Sequence, residues 1–263
     1  MRDTIYTIPV SEAFEKDCEC PLCELERKLE NEYVEYVLGA SLMEPDNRKL
    51  TNDQGFCRKH FEMIYNKQEN KLGLALMMDT HMVEQNKKLN RIMGVIPEGA
   101  KEQGLSGKIS SLFRKKGEKE ATEDPAAKGT FTIDRVLAYL DEYEQKCYIC
   151  NKLDYTMNRY IEVIYDLYFS SMEFKKTFEL KKGFCLPHLK LMLQYAKKLD
   201  GKKRDQVVGI ILKMQADNME RVQQELNWFT KKFDYRYESE PWGNSKDAIP
   251  RGIKKLTGPC RFK

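Results

Sequence analysis

The strongest constraint on the fold of this chain is a cysteine and histidine pattern that occurs twice. The pattern is C-x-x-C followed, after a spacer, by G-F-C-x-x-H. Its two copies take up six of the eight cysteines and two of the three histidines. Repetition of so specific a pattern predicts duplication of one structural unit. The eight residues are, in chain order, Cys20, Cys23, Cys57, His60, Cys147, Cys150, Cys185 and His188.

The segments that follow each C-x-x-C are also similar. Tyr33 and Glu35 in the first copy correspond to Tyr160 and Glu162 in the second at one constant offset. In both segments apolar residues recur every three or four positions, which is typical of one face of a helix, and we find no alternating pattern typical of a strand. The sequence therefore predicts an all-α fold made of a duplicated helical unit, with about three helices per copy and a Cys3His metal site stapling each copy.

Composition predicts where the two copies are separated. Residues 94–130 are rich in Gly, Lys, Glu and Ala and lack sustained periodicity, which is typical of a flexible charged linker. The predicted domains are therefore a first helical metal-binding repeat over 1–93 and a second over 131–263, which ends in a basic C-terminal tail.

The spacing within each motif predicts a metal site. Residues three apart on a helix point the same way, so each C-x-x-C and each C-x-x-H presents two donors from one turn. Pro21 after Cys20 suits the first position of a helix. A helix N-terminus favours the thiolate that a metal binds. An extended spacer is long enough to return to the start of its own repeat. We therefore expect one zinc ion in each repeat, bound by Cys20, Cys23, Cys57 and His60 in the first and by Cys147, Cys150, Cys185 and His188 in the second.

Other cysteine chemistry fits the sequence less well. Two [4Fe–4S] clusters are the main alternative to two zinc ions, because three thiolates and an imidazole can ligate either. Thioredoxin-like chemistry needs a strand before the C-x-x-C, and covalent haem needs His where this chain has Glu24 and Asn151. Four protein donors also leave no open position for a catalytic water. We predict a non-catalytic adaptor or regulatory protein, with an iron–sulfur or thiol-based redox protein as the alternative.

Charge and hydropathy bear on partners and location. The net charge is only +4 and the charges are mixed, so a protein partner, as yet unidentified, is favoured over nucleic acid, for which the basic linker and tail give weak support. No apolar run reaches the length that a membrane span requires. The cytoplasm is the predicted location, and in its reducing conditions paired cysteines are more often metal ligands than disulfides.

A few residues stand outside the pattern. Cys18 is interpreted as a spare thiol and Cys260 is given no role. His81 is expected to be a surface or hydrogen-bonded histidine. Methionines such as Met78 and Met82, in the predicted long helix of the first copy, are interpreted as core filling.

The paired motifs CPLC…GFCRKH and CYIC…GFCLPH resemble those of a family of uncharacterised bacterial proteins of about this length, grouped only as a domain of unknown function. The resemblance covers most of the chain outside the linker. It implies a bacterial cytoplasmic protein with metal ligands at the eight motif positions, and it carries over no activity.

Overall fold

The computed structural model describes residues 5–93 and 125–260. All regular structure within these ranges is helical, so the predicted all-α class is confirmed. Within the same ranges, three short 3-10 helices cover Ala40–Met43, Tyr235–Tyr237 and Gly243–Ser245. The α-helices are α1 (Thr7–Glu15), α2 (Pro21–Leu38), α3 (Pro45–Gln54), α4 (Arg58–Lys67), α5 (Lys71–Met93), α6 (Pro125–Glu144), α7 (Tyr148–Ser170), α8 (Met172–Glu179), α9 (Leu186–Ala196), α10 (Gly201–Lys231) and α11 (Ala248–Thr257).

The three helices predicted for each copy are present. They are α2, α4 and α5 in the first copy and α7, α9 and α10 in the second. The additional helices α1, α3, α6, α8 and α11 were not predicted, because each is short or lacks a sustained apolar period. Most of the predicted linker lies outside the described residues, and its last part, from Pro125, belongs to α6. None of the helices in the described ranges has the length and apolar character needed to cross a membrane.

The helices form two compact units. Unit 1 contains Met1–Tyr33 and Lys152–Lys263, and unit 2 contains Val34–Asn151. The boundaries fall inside α2 and α7, so each of these helices begins in one unit and ends in the other. The units therefore differ from the predicted domains 1–93 and 131–263, since each takes residues from both repeats.

An aromatic cluster fills part of the core of unit 1. Phe14 of α1 stacks on Phe178 of α8 with ring centroids 5.6 Å apart, and Phe174 lies 5.0 Å from Phe14. Phe184, which belongs to the second Gly-Phe-Cys, lies 6.0 Å from Phe178 and is fully buried. Burial of a phenylalanine contributes about 2 to 3 kcal/mol. Phe184 therefore anchors the chain directly before Cys185.

The phenylalanine of the first Gly-Phe-Cys, Phe56, anchors the chain in the core of unit 2. Here α3, α4 and α6 each pack on α5. Phe56 is buried and makes edge contacts with Phe61 of α4, at 5.3 Å between centroids, and with Tyr148 of α7, at 6.3 Å. The Phe in the motif thus has a packing role that is independent of the metal donors.

The glycine of each Gly-Phe-Cys is required by backbone conformation and by space. Gly55 has φ +58° and Gly183 has φ +80°, both in the region that residues with a Cβ rarely adopt. A Cβ on Gly55 would lie 2.6 Å from the His81 ring, and one on Gly183 would lie 2.8 Å from Oε1 of Gln215. Each glycine therefore lets the loop approach a buried polar side chain closely.

The expectation that the methionines of α5 fill the core was wrong for two of them. Met78 is 40% exposed and Met82 is 58% exposed, whereas Leu74 and Met77 are buried. The neighbours of α5 cover only part of its circumference. The spacing of apolar residues along a helix does not by itself show how wide its buried face is.

We predict that Gly183→Ala destabilises unit 1 by about 1 to 3 kcal/mol, because the new Cβ is both strained and too close to Gln215. Gly209→Ala in the interior of α10 is the matched control. A Cβ there meets nothing within 4 Å, so we expect a gain of roughly 0.5 to 1 kcal/mol from helix propensity. Urea unfolding followed by circular dichroism measures both. Equal stability of the two variants would contradict the strain at Gly183.

Candidate metal centres

The structure gathers all eight motif residues into two clusters of one histidine and three cysteines. In each cluster the four donor atoms lie within 4.8 Å of one another. Centre 1 belongs to unit 1 and centre 2 to unit 2. Centre 1 consists of Cys20, Cys23, Cys185 and His188, and centre 2 consists of Cys57, His60, Cys147 and Cys150.

The expected matching of the pairs was wrong. Each centre combines the C-x-x-C of one repeat with the C-x-x-H of the other, so neither repeat holds a complete site. The prediction that the C-x-x-C and the C-x-x-H of one repeat meet assumed that the spacer between them is extended. Most of the spacer after α2 is instead helical, in Ala40–Met43 and α3. Helices advance only about 1.5 to 2.0 Å per residue, against about 3.3 Å for an extended chain.

The prediction that the donors lie at helix N-termini is confirmed. In centre 1, Cys20 directly precedes α2, and the Cys23 N–H donates to the Cys20 carbonyl at 3.1 Å in the first turn. Cys185 is the N-cap residue of α9, and His188 lies in the first turn of that helix. Two helix starts thus direct their positive ends at one group of thiols, which favours thiolates there.

Centre 2 is built in the same way from α4 and α7. Cys57 is the N-cap residue of α4, and His60 follows in its first turn. Cys147 directly precedes α7, and Cys150 lies in its first turn. The two centres are therefore local copies of one design, each assembled from both repeats.

The distances in centre 1 fit a tetrahedral ion. Nδ1 of His188 lies 3.5, 3.4 and 3.1 Å from the sulfurs of Cys20, Cys23 and Cys185. The sulfurs of Cys23 and Cys185 are 3.6 Å apart. Zinc bonds of about 2.3 Å to sulfur and about 2.0 Å to nitrogen at tetrahedral angles place neighbouring sulfurs about 3.8 Å apart, and sulfur about 3.5 Å from nitrogen.

Centre 2 has similar dimensions. Nδ1 of His60 lies 3.2 Å from the sulfurs of Cys57 and Cys147 and 3.4 Å from that of Cys150. The sulfurs of Cys57 and Cys150 are 3.8 Å apart. Both histidines thus offer Nδ1 to the cluster. Both donor sets match one small tetrahedral ion.

The centres differ in burial. In centre 1, Cys23 alone is partly exposed, while in centre 2 both Cys57 and Cys150 are. His60 and His188 are both fully buried. Centre 2 is therefore the more open of the two.

Within each cluster, hydrogen bonds between the cysteines lower the pKa of one thiol and raise that of another. A hydrogen bond from Cys150 lowers the pKa of Cys147 to about 3, and hydrogen bonds from Cys20 and Cys23 lower the pKa of Cys185 to about 4. The pKa values of Cys150 and Cys23 are raised, because each gives its proton to a neighbouring sulfur and is partly desolvated. One thiolate per cluster is thus favoured by the protein itself. A bound divalent cation would let the other two ionise.

A carboxylate lies near the histidine of centre 1. Nε2 of His188 lies 3.6 Å from Oε2 of Glu26, which is longer than a hydrogen bond. Nδ1 of the same ring faces the three sulfurs. The ring therefore offers Nδ1 to the cluster, with a negative charge near its other nitrogen.

Buried polar side chains support both Gly-Phe-Cys loops. Gln215 of α10 accepts from the Phe184 N–H at 2.9 Å and donates to the Phe184 carbonyl at 3.0 Å. In unit 2, His81 is buried, with Nδ1 2.7 Å from the Asn52 carbonyl and Nε2 3.3 Å from the Tyr143 hydroxyl. Of the two roles expected for His81, surface residue or hydrogen-bonded residue, the structure shows the second. Sequence reasoning missed Gln215, because a single glutamine in a long helix gives no signal.

The two remaining cysteines lie outside both clusters. Cys18 is partly buried, and desolvation raises the pKa of its thiol. The sulfur of Cys260 lies 3.1 Å from the Thr257 hydroxyl just after α11. Neither residue belongs to either four-donor set.

Comparison with known proteins assigns the chain to a family. A family model described as a family of unknown function (DUF6062) matches residues 1–263. No curated protein and no solved structure matches the chain. Function therefore has to be inferred from the geometry of the two centres.

The crossed matching predicts which double variants remove a whole centre. Cys23→Ser with Cys185→Ser removes two donors from centre 1, so we expect about one tightly bound zinc ion to remain, in centre 2. Cys23→Ser with Cys57→Ser removes one donor from each centre, so we expect both ions to be weakened. Zinc content after dialysis against a chelator distinguishes these results.

Cys18→Ser with Cys260→Ser is the control and should keep the zinc content of the wild type, because neither residue belongs to a cluster. If centres formed within single repeats, the two test variants would exchange their behaviour.

Proposed function

This chain belongs to a family of unknown function, DUF6062, and we propose that it is a zinc-stabilised helical protein that works by binding a protein partner. The observation that carries the proposal is the convergence of three sulfurs and one imidazole nitrogen to within 4.8 Å, twice, in separate units. Thiolate and imidazole donors in a tetrahedral set are the ligands that structural zinc prefers.

The donor spacing supports a single ion in each centre over a [4Fe–4S] cluster. In such a cluster each protein ligand binds a different iron, so the ligands stand around a body of eight atoms. The sulfur–sulfur distances of 3.6 and 3.8 Å are instead those of ligands sharing one small ion. A redox protein with two clusters is therefore the less favoured alternative.

A structural role for the metal is supported by what each centre joins. Centre 1 connects the start of α2 to the start of α9 across 168 positions of chain, and centre 2 connects α4 to α7 across 87. A bond that closes such long loops removes conformational entropy from the unfolded chain. Metal binding free energy then contributes directly to folding.

A binding role rather than catalysis is supported by the filled donor sets. Four protein donors leave no coordination position for substrate or water. All eight cysteines have free sulfurs, as suits the reducing cytoplasm that we propose as the location. A protein partner is preferred over nucleic acid because part of the basic C-terminal charge is used internally. Lys255 of α11 is buried, and Arg251 pairs with Asp247 at 2.8 Å.

We expect the purified protein to be colourless and to contain about two zinc ions per chain, one for each four-donor set. Removal of the metal with a chelator should lower the thermal midpoint and reduce helicity, because four helix starts lose their cross-links. Elemental analysis and circular dichroism measure these properties. Iron with sulfide in a brown sample would contradict zinc, and unchanged melting after stripping would contradict the structural role.

We expect macromolecules that bind the immobilised, zinc-loaded chain to be proteins whose retention survives nuclease treatment. The charges are mixed, and the pairing of Arg251 with Asp247 makes part of the C-terminal basic charge unavailable to a phosphate backbone. The measurement is retention of DNA, RNA and protein over a range of salt concentrations. Strong retention of DNA or RNA that falls with salt would contradict a protein partner.

A further inference from the structure

The described part of the C-terminal basic segment, up to Cys260, is folded into unit 1. Its helix α11 packs on α9 and α10, and Lys255 on this helix is only 1% exposed. Gly258, just beyond α11, approaches centre 1 so closely that a Cβ there would lie 3.7 Å from the sulfur of Cys185. A buried ammonium group is costly unless all its protons are bonded, so the partners of Lys255 need an explanation.

Lys255 joins the two segments that carry the ligands of centre 1. Its Nζ donates to the main-chain carbonyl of Glu19 at 2.7 Å and to the main-chain carbonyl of Lys182. It also lies 3.2 Å from the carboxylate of Glu19. Glu19 directly precedes Cys20, and Lys182 is three positions before Cys185. The ammonium group of Lys255 therefore binds the chain both just before Cys20 and just before Cys185.

In centre 2 the two ligand segments are joined by a backbone hydrogen bond and not by a side chain. The N–H of Tyr148, the residue after Cys147, donates to the carbonyl of Gly55 at 3.0 Å. By the repeated motif, the residue of centre 1 that corresponds to Tyr148 is Pro21. Proline has no N–H, so this backbone bond cannot form in centre 1. The Lys255 ammonium supplies a connection between the same two segments.

The ammonium group of Lys255 belongs to a network of paired charges. Glu19 receives two bonds from Arg221, at 2.7 and 2.8 Å, and Arg221 also bonds Glu225 at 3.2 Å. Arg251 pairs with Glu225 as well. Arg251 also bonds Asp247 at 2.8 Å, so three cations and three carboxylates balance in this network. The network therefore acts on centre 1 by holding chain segments in place and brings no net charge to it.

We propose that Lys255 is a positioning residue of centre 1, which ties its two ligand segments together where Pro21 cannot. This inference rests on the proposed zinc binding. It makes the metal affinity of centre 1 depend on α11, while centre 2, with its own backbone bond, is independent of that helix.

The test compares Lys255→Met with Lys254→Met, an exposed neighbour on the same helix. Zinc is withdrawn from the full-length chain by a chromophoric chelator. We expect Lys255→Met to weaken one of the two ions tenfold or more and to leave the other unchanged, and Lys254→Met to change neither. In the background Cys57→Ser with Cys147→Ser, where centre 1 alone is intact, the remaining ion should show the full loss.

Cobalt loading separates positioning from general destabilisation. At saturating cobalt, the Lys255→Met protein should keep the thiolate-to-cobalt absorption and the helicity of the wild type, since its ligands are unchanged. Equal weakening of both ions would assign Lys255 a merely structural role, and no weakening would overturn the proposal. Absence of zinc binding in the wild type would instead refute the proposed function on which it rests.

If Lys255→Met does not fold, hydrogen exchange in the wild type gives a second test. Coupling between two sites is reciprocal, so emptying centre 1 has to loosen the helix that strengthens it. We expect the amides of α11 to lose protection at the chelator concentration that releases the ion of centre 1. Unchanged protection of α11 across that release would overturn the proposal.

Discussion

The rest of this structure depends on the meeting of three thiols and one imidazole at the starts of two helices. Each residue of the Gly-Phe-Cys motif helps to bring these four donors together. The glycine turns the chain through a left-handed conformation, the phenylalanine anchors it in the core, and the cysteine caps the helix that carries the histidine. Buried sulfurs so close together cannot all be ionised without a cation, so a metal ion bound there would stabilise the helical core.

The two centres have the same donors but different supports. Gln215, Glu26 and Lys255 lie beside the ligand segments of centre 1, whereas His81 lies beside Gly55, and a backbone bond from Tyr148 joins the segments of centre 2. Duplication therefore preserved the donors, while the polar groups behind them diverged. Those groups determine how firmly each donor set is held, since the orientation of a ligand is fixed by what its other side contacts.

The exchange of ligand pairs between repeats has consequences for folding. Each centre forms only when residues from both halves of the chain have come together, because a single repeat contains half of each donor set. Contacts so distant in sequence form late, since the entropy of closing the loop opposes them until other contacts exist. Neither repeat is expected to assemble a metal site by itself.

The sequence by itself determined the all-α class, the eight candidate ligands and their positions at helix starts. These follow from local rules: three-residue spacing places two donors on one turn, and glycine, proline and apolar period mark where helices begin. Only the tertiary structure decided which pairs share a centre, the composition of the two units, and the roles of Gln215 and Lys255. The physical reason is that local spacing leaves two ways to match the pairs, and the path of the helical chain selects one.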